Sequence, residues 1–446
     1  NMDTVLNTPV IKNVDFAIIS GSISAVSAAL YLSEQKYRVI LIVKETYLIS
    51  DLCSSDYYYL RNKKNEEQKY FKMIFDKSVD ANDVHCKDCR VLHPDRLKLN
   101  TEEICDINGI EYIYAAVPID VLKYDHGQKI LRIAGKFGIC GISCRDVLHF
   151  NKLKNSDRYM INIMGSPDIS QKVVINVKTS KNSDFDVYVR PGAYGKGHAT
   201  LDIPICSRAS DMDYSKKEYS SKLEALNVLK WIKENIHGFS KIRPGRSGSE
   251  GFSSQLDIEE EIERGIRRAK DALDGYESEG SIKPQLSMPQ GLRMVSDNPT
   301  ADYREYDIFK SRIPCINSII KPDLVVVGGG TSGTMAALYG ARHGVRTVLV
   351  ESNDRCGGTA TAGGVSAYWF GKCFKENKEI DKKVDEIYRA INVERNRGIW
   401  RDYDEFNPDI KSTALLKMCI DAGVVILFNT VSFASIVDAD RKNIIK

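Results

Sequence analysis

The sequence has no apolar run that approaches the roughly 20 residues needed to cross a bilayer. Its charge has no dominant sign, because 63 Lys and Arg stand against 60 Asp and Glu in 446 residues, giving a net charge of +3. This balance predicts neither a nucleic-acid partner nor an anionic membrane surface. Eleven cysteines, an odd number spread over a long chain, do not form the framework of a small disulfide-rich domain.

Several catalytic patterns are also missing. The seven histidines are dispersed along the sequence, so none stands out as a catalytic base. Neither a Gly-x-Ser-x-Gly elbow nor an HExxH motif occurs, so no motif supports a hydrolase. Two clusters, His85–Cys89 and Cys140–Cys144, contain enough thiols for zinc, but their spacing favours buried free thiols, and we predict no metal site. The first residues lack the features of a signal peptide, so a native start at Met2 predicts a cytoplasmic protein.

Short apolar stretches separated by Gly, Asn and Asp fill residues 46–210. They predict a β-rich region of antiparallel strands, and the clearest examples are 112–114, 129–133 and 173–177. Within this region, Tyr57–Tyr59 is interpreted either as pocket lining or as core. The basic loop Arg190–His198 could bind a phosphate or an acidic substrate, or be a solvated hairpin.

Two helices are predicted beyond this region, at 215–237 and 257–273, because apolar residues recur there every three or four positions. Between them, residues 243–254 hold four Gly or Pro among polar residues and predict a loop. Like the loop Arg190–His198, Arg243 and Arg246 could bind a phosphate or an acidic substrate, or could be part of a solvated loop. Residues 275–322 contain Pro and Gly at intervals and predict a linker.

The clearest pattern begins at Asp323. Leu324–Val327 predicts a buried strand, and it is followed by the run Gly-Gly-Gly-Thr-Ser-Gly, a helix at 334–343 and a second strand at Thr347–Val350. In this arrangement, Gly328 permits a tight turn out of the strand. Gly330 lets the backbone approach a pyrophosphate, and Gly333 lets the helix pack closely on the strand.

The start of that helix has the chemistry of a phosphate site. The backbone amides around Thr331 and Ser332 point towards the phosphates, aided by the helix dipole. Glu351 ends the second strand, 23 residues after Gly328, where its carboxylate can bind ribose hydroxyls. A tight strand–helix turn in an unrelated α/β domain is the alternative. We predict a dinucleotide site because strand, helix and acid all have the expected spacing.

The run DLVVVGGGTSGTMAALYGARHGVRTVLVESNDRCGGTATAGG resembles the start of the bacterial FAD-dependent oxidoreductases with a glutathione-reductase-like FAD-binding fold. The triple glycine, the small residues along the helix and the second pair Gly357-Gly358, followed by Thr359, favour FAD over NAD. In that family the second loop lies along the pyrophosphate, the ribityl chain and the flavin. The resemblance continues through 411–431, which implies that the backbone of Val431 contacts adenine.

The resemblance implies an enzyme that passes a hydride between FAD and a small organic substrate. The family usually has a later Gly-Asp pair that binds the ribityl chain, and none follows Gly328 here. No catalytic residue can be carried over. The alternatives are a non-catalytic scaffold or subunit with an incomplete dinucleotide fold, and an NAD-binding module. The sequence leaves open a homo-oligomer or a partner subunit.

The N-terminal segment repeats the strand–glycine loop–helix–strand pattern of residues 323–351 in a degenerate form. When Asp15 is aligned with Asp323, the run Ala28–Tyr31 meets the identical run Ala336–Tyr339. Chance similarity of two βαβ units is the alternative to an internal repeat. The three glycines and the acid are replaced by Ser20, Ser22, Ala25 and Val43. We therefore expect a similar strand–helix–strand without a nucleotide.

These patterns predict an α/β protein with a Rossmann-like FAD-binding fold, a parallel sheet with helices, and a β-rich α+β region. The predicted domains are 1–60, the start of a degenerate Rossmann-like copy; 61–210, an inserted or substrate-type β-rich region; 211–275, a helical segment that closes the first copy; 276–322, a linker; and 323–446, the FAD-binding domain, which lacks part of the family pattern.

Overall fold

The computed structural model describes the following residues: 5–61, 69–78, 89–123, 127–150, 158–178, 184–204, 214–248, 256–277, 308–312, 320–368, 375–396 and 404–432. Over these residues the chain is an α/β protein with two parallel sheets, as expected. In the same ranges, none of the helices combines the length and apolar character required to cross a membrane.

The elements are numbered in chain order. The strands are β1 (Val5–Asn13), β2 (Phe16–Ile19), β3 (Val39–Ile42), β4 (Tyr59–Arg61), β5 (Cys89–Val91), β6 (Glu111–Ile113), β7 (Val117–Lys123), β8 (Lys129–Gly135), β9 (Gly138–Cys144), β10 (Asp146–His149), β11 (Arg158–Met164), β12 (Val173–Lys178), β13 (Asp184–Pro191), β14 (His198–Pro204), β15 (Arg243–Ser247), β16 (Ile308–Arg312), β17 (Leu324–Val327), β18 (Thr347–Val350) and β19 (Val425–Leu427). The α-helices are α1 (Ile23–Glu34), α2 (Ser50–Cys53), α3 (Lys69–Phe75), α4 (Pro94–Ile107), α5 (Tyr214–Asn235), α6 (Ile258–Glu277), α7 (Thr331–Arg342), α8 (Lys375–Ala390) and α9 (Pro408–Asp421).

A parallel sheet in the order β10-β2-β3-β6 forms the first unit, and both of its faces are covered. Phe16 and Leu41 lie on the face that packs with α1 and α6. Ala17 and Ile40 lie on the opposite face, against the layer β16-β1-β9-β8-β7. Strands buried on both faces have continuous apolar sequences, which explains the unbroken runs in β2 and β3.

An antiparallel sheet in the order β12-β13-β14-β11-β15 stands beside this unit. Helix α5 covers it, and the apolar residues of the sheet and helix join one core with α7, α8 and α9. Asp202, 1% exposed in its side chain, lies in the sheet between Arg158 and Arg190. The Tyr59 hydroxyl of the first unit donates to Pro191 O of this sheet at 2.8 Å, so the sheet contacts the first unit as well as sharing a core with the C-terminal one.

The C-terminal unit is a parallel sheet in the order β17-β18-β19. Leu349 and Ile426 are buried on the side that faces the common core with α7 and α9. On the other side, within the described residues, Val348 of the central strand is buried, while Val325, Val327 and Val425 are 51%, 64% and 43% exposed.

The two parallel units have closely matching local geometry. In the first, Phe16 pairs with Val39, and in the second, Leu324 pairs with Thr347. Helices α1 and α7 both contain 12 residues, and they begin after turns of equal length. The strand–helix–strand predicted for 15–45 is thus confirmed. The geometry supports an internal repeat, which itself stays a prediction.

The helices predicted at 215–237 and 257–273 are confirmed as α5 and α6. Three expectations were wrong. Leu324–Val327 was predicted to be a buried strand, but β17 leaves Val325 and Val327 51% and 64% exposed. Residues 243–247 of the predicted loop form β15, since an edge strand tolerates Pro and Gly that a central strand would not. Residues 112–114 were expected to form an antiparallel strand, but the strand found there, β6, pairs in parallel with β3.

The sequence argument predicted no helix within 46–210, where α2, α3 and the 14-residue α4 form. It also missed three elements outside that region. They are β1, the helix α8, and β16, which pairs with β1 from within the predicted linker. Most of that linker, and His85–Asp88 of the first cysteine cluster, lie outside the described residues. Cys140 and Cys144 are buried in β9, and burial raises the pKa of both thiols to about 12.

Helix α5 buries an ion pair against the sheet. Glu218 Oε1 lies 3.2 Å from Lys222 Nζ, and both side chains are nearly inaccessible. Burial disfavours the carboxylate and raises the pKa of Glu218 from 4.5 to about 7, although Lys222 opposes the shift.

We expect Glu218 to contribute a fall in the stability of the protein as the pH rises from about 4.5 to about 7. In this window the folded state keeps a proton on Glu218 that the unfolded chain releases, so folding takes up a proton. Glu218→Gln should remove this slope, which is at most about 1.4 kcal/mol per pH unit. Urea unfolding at several pH values measures it. Glu234→Gln, at an exposed position on the same helix, is the control. Equal slopes for wild type and Glu218→Gln would contradict the assignment.

Candidate dinucleotide site

The turn between β17 and α7 requires glycine at two points. Gly328 has φ +92°, a left-handed conformation that favours glycine, and its amide donates to Val350 O at 2.8 Å. A Cβ on Gly333 would stand 1.8 Å from Gly328 O. Only a glycine at 333 therefore lets α7 lie this close to the strand end, which is the role its spacing predicts.

The N-terminus of α7 is open at its first residues. Gly330 is the N-cap and provides no side chain to bond the first amides. A Cβ at this position would meet nothing within 4 Å, so the space next to the Gly330 backbone is free. Thr331 and Ser332 follow it and are exposed. This combination of free space and helix amides suits a phosphate group.

The second glycine pair lies directly against the first loop. Gly357 and Gly358 have φ values of +104° and +57°, and the Gly357 amide donates to Gly329 O at 2.8 Å. A Cβ on Gly358 would come within 2.8 Å of Gly330 Cα. The Thr331 hydroxyl donates to Gly357 O at 3.1 Å. Two glycine loops that are 26 residues apart in sequence thus form one backbone surface, and Thr359 is exposed at the short 3₁₀ turn that follows.

Glu351 stands at the end of β18 and is 7% exposed. One carboxylate oxygen accepts from the Gly329 amide, and the other accepts from the Asn353 amide at 2.7 Å. The Thr430 amide donates to Glu351 O at 3.0 Å, which brings Val431 next to this residue. The structure therefore gathers the glycine loops, the acid and Val431 at the carboxyl ends of the three parallel strands.

Three charged residues that the sequence argument missed hold the second loop in place. Arg355, immediately before the loop, is 7% exposed. Its guanidinium donates to Asp409 at the start of α9 and bonds Asp354 at 3.2 Å. Asp409 also accepts from the Ser247 amide of β15 at 2.6 Å. The signal available in the sequence was the charged pair Asp354-Arg355 directly before the glycines.

A buried lysine lies after the second loop. Lys411 is 4% exposed and donates to the Tyr368 hydroxyl at 2.8 Å. Its ammonium nitrogen lies 4.0 Å from the ring centroids of both Tyr368 and Phe406. Burial lowers the pKa of Lys411 to about 8. This amine can thus exchange a proton near neutral pH.

The other residues singled out in the sequence have structural contacts. Tyr57–Tyr59 is buried in the core of the first unit. Arg190 pairs with Asp202 at 3.0 Å, and Arg243 donates to Asn396 at 2.9 Å. Arg246 lies 3.7 Å from the buried carboxylate of Asp56.

Comparison with known proteins gives a family match for the C-terminal residues. Residues 323–446 match the model of the family described as FAD dependent oxidoreductase. Thiamine thiazole synthase of Methanococcus vannielii is 32% identical over 136 residues, 30% of this chain and 49% of that protein. Thiamine thiazole synthase of Saccharolobus islandicus is 35% identical over 112 residues, 24% of this chain and 37% of that protein. The chain thus spans half or less of the length of these relatives.

Among solved structures, a geranylgeranyl bacteriochlorophyll reductase-like protein from Thermoplasma acidophilum is similar with a TM-score of 0.44 and 14% identity. The match covers 60% of this chain and 80% of that one. The segment that matches the FAD dependent oxidoreductase family, residues 323–446, is the one that contains both glycine loops, Glu351 and Val431.

Proposed function

We propose that the protein is an FAD-dependent oxidoreductase that acts on a small organic substrate, with FAD held by residues 323–446. The observation that carries the proposal is the contact between the two glycine loops beside an open helix N-terminus. The free space at Gly330 is where a pyrophosphate fits, and the family match names the same cofactor.

Each residue of the site has a role in this proposal. Amides of Thr331 and Ser332 bind the pyrophosphate, and Gly358 leaves room for it beside Gly330. Glu351 binds the ribose of the adenosine half, and the backbone of Val431 lies along the adenine. Bound FAD supplies the hydride chemistry, and the chain binds and orients it.

A non-catalytic scaffold is the second candidate function. Its support is the open valine face of the sheet β17-β18-β19, whose counterpart in the first unit is covered by another layer. A flavin absorption band in the purified protein separates the two candidates. A protein that stays colourless after addition of FAD would favour the scaffold.

We expect Gly330→Val to abolish FAD retention and leave the fold intact. The new side chain projects into free space and not into protein, but that space is the proposed position of the pyrophosphate. The measurement is the ratio of flavin to protein absorbance, with circular dichroism for the fold.

The matched control is Ala336→Val, which adds the same side chain at an exposed position of the same helix. It should retain FAD. If Gly330→Val binds FAD as well as wild type does, the phosphate does not lie where we propose.

We expect Glu351→Ala to weaken FAD binding about 10- to 100-fold, since a hydrogen bond to a charged group contributes about 1.5–3 kcal/mol. FMN lacks the adenosine ribose, so its affinity should change little. Titration of the apoprotein with both flavins measures the difference. An equal loss for FAD and FMN would mean that Glu351 acts only by holding the Gly329 amide.

A further inference from the structure

In the first unit a carboxylate already lies at the N-terminus of α1. The Ile23 amide donates to both oxygens of Asp51, at 3.2 and 3.1 Å. Ser22, the N-cap, accepts from the Ala25 amide at 3.3 Å. The positive end of this 12-residue helix is therefore bonded by the protein's own acid and hydroxyl.

Asp51 comes from the segment that matches the second glycine loop. Its short helix α2 follows Ile49, which has φ +53°, just as the 3₁₀ turn Gly358–Ala360 follows Gly357 with φ +104°. Asp51 stands two residues after the left-handed residue, and Thr359 holds the same place in the C-terminal unit. At this position the first unit thus has a carboxylate, and the C-terminal unit has an exposed hydroxyl.

The loop between β2 and α1 in the first unit also leaves no room for a ligand. The Ser22 amide donates to Ser20 Oγ at 3.0 Å. Gly21 faces Val43, whose Cγ1 would lie 2.7 Å from a Cβ at that position. The hydroxyl of Ser24 bonds Glu261 of α6, so a second helix covers the first turn of α1. These contacts leave Ser22 only 3% exposed, whereas its counterpart Gly330 faces free space.

We propose that Asp51 is a built-in anion that occupies, in the first unit, the place where a dinucleotide phosphate binds in the second. A carboxylate and a phosphate offer the same helix amides two negatively charged oxygens, so one excludes the other. The first unit is closed to nucleotides, the chain binds one FAD, and a small oxyanion enters the first site only when the carboxylate is removed. The comparison between units rests on the proposed function, but the Asp51 contact does not.

The first test is chemical rescue of Asp51→Ala and of the isosteric Asp51→Asn. Both variants should melt about 2–4 °C below wild type. Inorganic phosphate should restore Asp51→Ala more than potassium chloride of equal ionic strength does. Asp95→Ala, which removes an acid from the first turn of α4, is the matched control and should show no specific rescue. Equal melting of Asp51→Ala in phosphate and chloride would overturn the proposal, and Asp51→Asn provides the destabilisation readout if the alanine variant does not fold.

The second test is the converse change. Thr359→Asp should place a carboxylate at the FAD site and lower the flavin content of the folded protein more than the uncharged variant Thr359→Asn does. Normal flavin content in Thr359→Asp, or two flavins per wild-type chain, would overturn the proposal. A wild-type protein without flavin whose Asp51→Ala variant is rescued by phosphate would reject the proposed function and still support the built-in anion.

Discussion

The C-terminal unit depends on backbone contacts that leave no room for side chains. Helix α7 can lie on the end of β17 only because Gly333 has no Cβ to strike Gly328 O. The second loop can lie on the first only because Gly358 has none to strike Gly330. These close backbone contacts bring several backbone amides together on one surface. Ordering these amides costs no side-chain conformational entropy. The site is therefore built from main chain, and Glu351 is the acid that joins this surface through the Gly329 amide.

The buried ion pair of Arg355 and Asp409 connects this surface to the rest of the protein. Asp409 bonds both the residue before the second loop and the Ser247 amide of β15. Asn407 adds bonds from its side chain to Pro244 O and Gly245 O, each at 3.0 Å. Because breaking one partner of a buried pair is costly, the loop and the antiparallel sheet hold a fixed relation. These contacts join β15 to the segment that directly precedes the second loop.

The sequence predicted the parts of the site whose constraints are local. The turn at Gly328, the packing at Gly333 and the acid at 351 lie within one βαβ unit, where spacing alone carries the geometry. The charged pair Asp354-Arg355 was visible in the sequence, but the bond from Arg355 to Asp409 and that from the Ile23 amide to Asp51 could not be predicted, because the partners lie 54 and 28 residues apart and such contacts leave no periodic pattern. The sheet strand β15 was missed for a related reason, since its strand character comes from pairing with β11 and not from its own composition.

The open face of the second sheet has a consequence for how the molecules behave in solution. Val325 and Val327 on β17 each expose half or more of their surface. Ala17, which holds the place of Val325 in the first unit, is fully buried. Aliphatic side chains on a strand attract other apolar surfaces as they shed water, and a net charge of +3 opposes close approach only weakly. These valines therefore favour self-association of the chain at high concentration, and that association should respond to temperature and to excluded osmolytes more than to ionic strength.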